Sequence, residues 1–322
     1  MIGRIHCPET ATMRQLLRPL VRALVLGALV MIQACVAGTS PAPDNLSLEA
    51  LKNLGYTGIS DDGSATQLRA GRWEGEPPEP GSALVPTLDF TGDFVARGDL
   101  DGDSHPEAVV VLDSWSGGSG VFSYMAVVSG GSGKPVNIAT QLLGDRVQVR
   151  ELRIEGGQLI ADTVGAGPDD PACCPSMKIQ PRWILKDGAL QPLAQLTPPS
   201  PLTLADLGGA EWVLSRWGTD EPAAAEPAVT LRYNEGRIDG SSGCNRYGAP
   251  VKAGDSTGSI EIGPAVATRM ACEEPRASTE TRFLLLLPAV RQFRFAPGAL
   301  ILPYRLDDGS FGSLWFNAMR PE

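Results

Sequence analysis

The chain has 322 residues and a mass of 34.0 kDa, with 43% hydrophobic, 20% charged and 6% aromatic residues, a globular composition that excludes a collagen-like or disordered chain. Lys+Arg 27 against Asp+Glu 37 gives a net charge of −10. So acidic a chain lacks the clustered cations that nucleic-acid phosphates require, and no nucleic-acid partner is expected.

The first 34 residues read as a leader. Arg4, Arg14, Arg18 and Arg22 precede the apolar run Ala23 to Ile32. A spanning helix needs about twenty such residues, so this shorter run predicts the core of a signal peptide. Ile32-Gln-Ala-Cys35 follows and resembles the lipobox of bacterial lipoproteins. The resemblance implies cleavage after residue 34 and acylation of Cys35. Val36 after the cysteine, in such families, implies sorting to the outer membrane. The alternative is an ordinary cleavage near Ala37-Gly38 and a soluble secreted chain. Residues 35–48 form a polar tether, and a short helix is expected near Leu46 to Leu54.

Residues 49–195 predict a β-rich N-terminal domain of meander or sandwich type, because short apolar runs alternate with Gly and Pro turn signals. Ala108 to Leu112 reads as a buried strand and Val121 to Val128 as its neighbour, flanked by two SGGSG turns. Val147 and Val149 start a further strand, and Leu152 and Ile154 continue it out of phase, which predicts a β-bulge. Met177, Ile179, Trp183 and Leu185 share one face, and Asp187-Gly188 forms a hairpin turn. Gly131-Ser-Gly-Lys134 is not a phosphate loop. Val128 stands where the first glycine belongs, and Pro135 replaces the magnesium-binding hydroxyl.

One loop in this domain carries metal chemistry. Asp99, Asp101, Asp103 and Glu107 fall at alternating positions in GDLDGDSHPE, and the His105 carbonyl offers a further oxygen. Calcium takes six to eight such hard ligands. The EF-hand pattern fails, since Ser104 replaces the turn glycine and Val110 stands at position twelve. The loop resembles the calcium loops of FG-GAP-type β-repeats, here in one copy. It reads either as a calcium site or as a solvated Asp-Gly turn.

The Pro-rich stretch 196–204 is expected to act as a linker into a second domain, 205–322. Trp212 to Leu214, Val229 to Tyr233, Leu300 to Leu302 and Leu314 to Phe316 read as strands. Asn234-Glu-Gly236 and Asp308-Gly309 read as turns. Ser278-Thr-Glu280 predicts a helix start. Phe283, Leu284, Leu287 and Val290 then share a face, and Pro288 should kink or end the helix.

Gly243-Cys-Asn-Arg-Tyr247, Thr268-Arg-Met-Ala-Cys272, and Glu280 with Phe283 and its leucine run resemble the META domain family of HslJ-like bacterial lipoproteins. The resemblance covers about a third of the chain, from Leu204 to Phe316. It implies an open β-barrel with one packed helix in an envelope or surface protein without established catalysis. Where the family often has proline directly after Cys272, this chain has Glu273 and Glu274 before Pro275. Asn245, Arg246, Arg269 and Met270 lie beside the motif cysteines. They read either as a binding surface or, for Asn245 and Met270, as a satisfied turn and a core filler.

Beyond Cys7 and Cys35, the cysteines are Cys173, Cys174, Cys244 and Cys272. Four allow three pairings, and an extracytoplasmic compartment is oxidising. Cys244–Cys272, within the META-like region, is the expected disulfide. The adjacent Cys173-Cys174 reads as a vicinal clip, a redox switch or a soft-metal site.

The expected fold is mainly β with minor α, in two domains. The expected function is a lipid-anchored envelope lipoprotein acting as a non-catalytic binding, assembly or stress-response module, facing the periplasm or cell surface. The expected partners are the membrane, through the lipid anchor, and an envelope protein, and Ca2+ is the one candidate cofactor. The alternatives are a carboxylate-dependent periplasmic hydrolase and a purely structural envelope protein. Two histidines, His6 and His105, and the lack of a Gly-x-Ser-x-Gly turn argue against an enzyme.

Overall fold

Two apolar periodicities organise the chain, and both are visible in a computed structural model that describes residues 45–319 except 78, 80, 83, 93, 132, 172–174 and 219. The leader, Cys35 and the Cys173-Cys174 pair lie outside the described residues. The chain is mainly β, and α1 (Leu48–Lys52) and α2 (Arg276–Leu286) are its described α-helices. Ser47 caps α1 by accepting the Ala50 N–H at 3.2 Å, and Leu51 is fully buried. Among the described residues no helix is long and apolar enough to cross a membrane.

A small hairpin of β1 (Gly55–Tyr56) and β2 (Thr66–Gln67) follows α1. Then come β3 (Arg72–Glu74), β4 (Thr87–Phe90), β5 (Ala96–Gly98), β6 (Glu107–Trp115), β7 (Phe122–Ser129) and β8 (Val136–Asp145). They form one antiparallel sheet in the order β3-β4-β6-β7-β8, with β5 on the remaining length of β6. The unbroken apolar run of β6 has a physical reason, since both its faces are covered. Ala108, Val110 and Leu112 pack with Leu51, Tyr56 and Leu68, whereas Val109 and Val111 pack with residues of a second sheet.

That second sheet comprises β9 (Gln148–Glu155), β10 (Gln158–Gly165), β11 (Met177–Ile179), β12 (Arg182–Lys186), β13 (Ala189–Leu193) and β14 (Ser200–Pro201). β9 lies on one edge of β10, while β12 and β11 share the other in a single register interrupted near Pro181, which has no N–H to donate. Met177, Ile179, Trp183 and Leu185 therefore keep one parity. The expected bulge is present: Asp162 faces Glu151 but Thr163 faces Val149, so Arg150 is the extra residue. Asp187 and Gly188 take φ of 53° and 73° in the β12–β13 hairpin, the left-handed pair such a two-residue turn requires.

Residues 196–204 do not form a free tether. Ser200 and Pro201 pair with β11, the Leu202 N–H donates to Ser176 O at 2.7 Å, and Leu202 is 6% exposed within the C-terminal core. Two apolar leucines, Leu202 and Leu207, draw the segment inward. The described residues belong to one compact unit.

The C-terminal sheet runs β15 (Trp212–Trp217), β16 (Glu221–Pro222), β17 (Thr230–Asn234), β18 (Arg237–Ser241), β19 (Arg246–Ala253), β20 (Ile260–Ile262), β21 (Val266–Ala267), β22 (Arg294–Ala296), β23 (Ala299–Arg305) and β24 (Phe311–Ala318). Its order is β20-β19-β18-β17-β15-β24-β23-β22, an open barrel that packs α2. Phe283, Leu287 and Val290 are fully buried against it, as the shared face predicts. The helix starts earlier than expected, at Arg276 behind Pro275 rather than at Ser278. Pro275 stands at the N-cap position, and its carbonyl accepts the Thr279 N–H at 3.0 Å. Pro288 ends it in a 3-10 turn.

Candidate functional site

The acidic loop joins β5 to β6. Leu100, 3% exposed, plugs the loop into the core. The carboxylates shape the turn itself. Asp99 accepts the N–H groups of Gly102 (2.7 Å) and Ser104 (3.0 Å), Asp101 accepts that of Asp103, and Asp103 that of His105. Gly102 and Ser104 sit at φ of 84° and 70°, so the backbone coils tightly enough to gather oxygens.

Asp99, Asp101 and Glu107 each bring an oxygen within 4.8 Å of the other two. Oxygens bound to one calcium ion at about 2.4 Å lie no more than about 4.8 Å apart, so this triangle has the span of a single hard cation. Asp103 falls outside it, with its carboxylate 3.4 Å from the His105 ring. The His105 side chain is equally outside the group.

Glu107 is the unusual member. It is fully buried as the first residue of β6, and its Oε2 accepts the Leu100 N–H at 2.9 Å. Its Oε1 is buried and has no hydrogen-bond partner among the described residues. Burial pushes the Glu107 carboxyl above its ordinary range, and the charges of Asp101 and Asp103 push the same way. A dry, half-satisfied carboxyl is costly. A cation between Glu107, Asp99 and Asp101 would satisfy the bare oxygen and cancel the repulsion together.

The second cluster sits where β18 turns into β19. Asn245 is 3% exposed and every polar group of its side chain is used. Its Oδ1 accepts from the Met270 N–H (2.8 Å) and Thr268 Oγ1 (2.7 Å). Its Nδ2 donates to Glu280 Oε1 (3.0 Å) and Met270 O (3.2 Å). Glu280 Oε2 accepts the Asn245 N–H at 2.9 Å and the Ser242 hydroxyl. Cys244 and Cys272 are joined, with Cα atoms 6.0 Å apart and a sequence separation of 28. In the chain-entropy view a loop of that length adds about 3.5 kcal/mol.

Asn245 is thus a bolt between strand turn and helix. Arg246, Arg269 and Met270 are exposed, Met270 at 61%, so Met270 does not fill the core. The sequence pattern predicts Glu280 in the first helical turn. With the helix starting at Arg276 it lies mid-helix instead, on the stripe of Phe283 and Leu287. That spacing was the signal for its inward role.

A third constellation escaped sequence reasoning. Arg150, the bulge residue, reaches toward the C-terminal sheet. Its guanidinium lies 4.7 Å from the Phe295 ring centre, 3.3 Å from Asp206 and 3.6 Å from Asp162. Lys178 Nζ also meets Asp206 at 2.8 Å. The backbone completes the seam, with the Gly298 N–H donating to Arg150 O and the Phe295 N–H to Gln148 Oε1.

Residues 205–309 match the family model described as the META domain. The matched stretch is the C-terminal third of the chain. An NMR structure of a protein from Burkholderia xenovorans is similar at 27% identity, over 41% of this chain and 98% of that one, with a TM-score of 0.29. No curated protein matches.

Proposed function

We propose, for a chain whose C-terminal third matches the META domain model, a lipid-anchored protein of the bacterial outer membrane that binds rather than transforms. It faces the periplasm or cell surface as a non-catalytic binding, assembly or stress-response module. The lipobox-like Ile32-Gln-Ala-Cys35 supports the anchor. In this reading its acidic loop takes up calcium through Asp99, Asp101 and Glu107, with backbone oxygens and water completing the shell. The observation that carries the cation is the bare, buried Oε1 of Glu107 beside two aspartates.

The test is thermal unfolding of the full chain with and without calcium. A ligand of the native state at a hundredfold excess over its Kd adds about 2.7 kcal/mol, so Tm should rise by several degrees. Glu107→Gln should abolish the rise, while Asp103→Asn, outside the triangle, should keep it. An unmoved Tm at millimolar calcium, or an equal rise in Glu107→Gln, removes the cation from the function.

A further inference from the structure

A second site lies at the other end of β6. A cavity of about 470 Å³ opens between the strand ends of the N-terminal sheets and β22 to β24. That volume is within the roughly 300–1,000 Å³ typical of small-molecule sites. Its walls include Val111, Ile301, Phe295 and Trp315. Both rings already carry a guanidinium, Arg150 at 4.7 Å from Phe295 and Arg216 at 4.1 Å from Trp315. The aromatic walls are therefore held in place before any ligand arrives.

Three charged residues line this cavity: Arg146 is paired with Asp145, whereas Asp113 and Arg294, of opposite sign, do not meet. Asp113 follows Val111 on the same face of β6, and one of its oxygens accepts the Ser123 hydroxyl at 2.6 Å. Ser123 is itself 2% exposed. Arg294, at the exposed start of β22, donates to Gln292 Oε1 at 3.0 Å. Among the described residues neither Asp113 nor Arg294 forms an ion pair. Burial pushes the Asp113 carboxyl up and the Asp89 charge adds to this, against the hydrogen bonds from the Ser123 and Thr91 side chains.

We propose that this cavity binds a short apolar peptide with free termini, its ammonium on Asp113, its carboxylate on Arg294 and its side chains against Val111, Ile301 and Trp315. The complementarity is specific. An apolar ligand alone would leave both charges unpaired, and an anion or a cation alone would pair only one. The site is independent of the acidic loop, since Asp113 lies six residues from Glu107, about 20 Å along the strand.

Calorimetric titration of the full chain with leucyl-leucine, its N-acetyl form and its C-terminal amide tests this. The free dipeptide should bind, and each blocked form should bind at least tenfold more weakly. Asp113→Asn should erase the preference over the N-acetyl form, and Arg294→Gln the preference over the amide. Both variants should keep the parent Tm, because Asn retains an acceptor for Ser123 and Arg294 is exposed. Equal affinity for the three forms, no heat with the free dipeptide, or unchanged preferences in the folded variants would each overturn the assignment.

Discussion

Asp206 concentrates more opposing effects than any other carboxylate at the seam. Burial pushes its carboxyl up, but the bonds from Lys178 and from the Thr203 N–H and hydroxyl overcome this and hold it below the ordinary value of 3.8. A carboxylate with a depressed folded pKa contributes stability above its unfolded pKa, and loses it as pH falls through the folded one. Asp206→Asn should therefore destabilise the chain at pH 7 by about 1–3 kcal/mol. The gap between variant and parent should close as the pH drops through and below the carboxylate range. Urea melts at neutral and strongly acid pH measure it. A gap of constant size would show that the loss is one of packing rather than charge. Nothing in the local sequence marks Asp206. Its partners Arg150 and Lys178 stand 56 and 28 positions away.

At the scale of elements, local pattern was informative wherever one strand or turn decides the matter. The phase slip between Val149 and Leu152 pointed to a bulge, and the bulge is there at Arg150. The uninterrupted run of β6 signalled a strand covered on both faces. Pattern failed where a neighbour decides. The helix start was read at a hydroxyl and a carboxylate, yet Glu280 is turned inward because Asn245 and Ser242 need its oxygens. The bulge has a use that only packing reveals, since the extra residue re-aims Arg150 across the seam. Arg150→Ala should cost about 1–3 kcal/mol, through lost contact with Phe295 and a weakened Asp206 pair. Denaturant unfolding reads this as a lower midpoint. Combined with Asp206→Asn the loss should be less than the sum, as for residues sharing one network.

For the whole molecule, the proposed anchor makes a separate prediction. Cys35→Ala should move the protein from the membrane fraction to the soluble fraction. Several acyl chains hold firmly, whereas a polar tether alone does not. Retention in the membrane after a carbonate wash would refute acylation as the attachment. Local pattern was enough for the β-rich class, the hairpin turns at Asp187-Gly188 and Glu235-Gly236, the META-like motifs of the C-terminal third and the acid types of the loop between β5 and β6. Those depend on side-chain alternation, backbone freedom and residue chemistry, all local properties. That Glu107 is dry, that Asn245 is consumed by Glu280, that Arg150 meets Asp206, and that Asp113 and Arg294 face one cavity emerges from packing alone. Desolvation and charge pairing arise from which distant segments come together, and no window of sequence contains both partners.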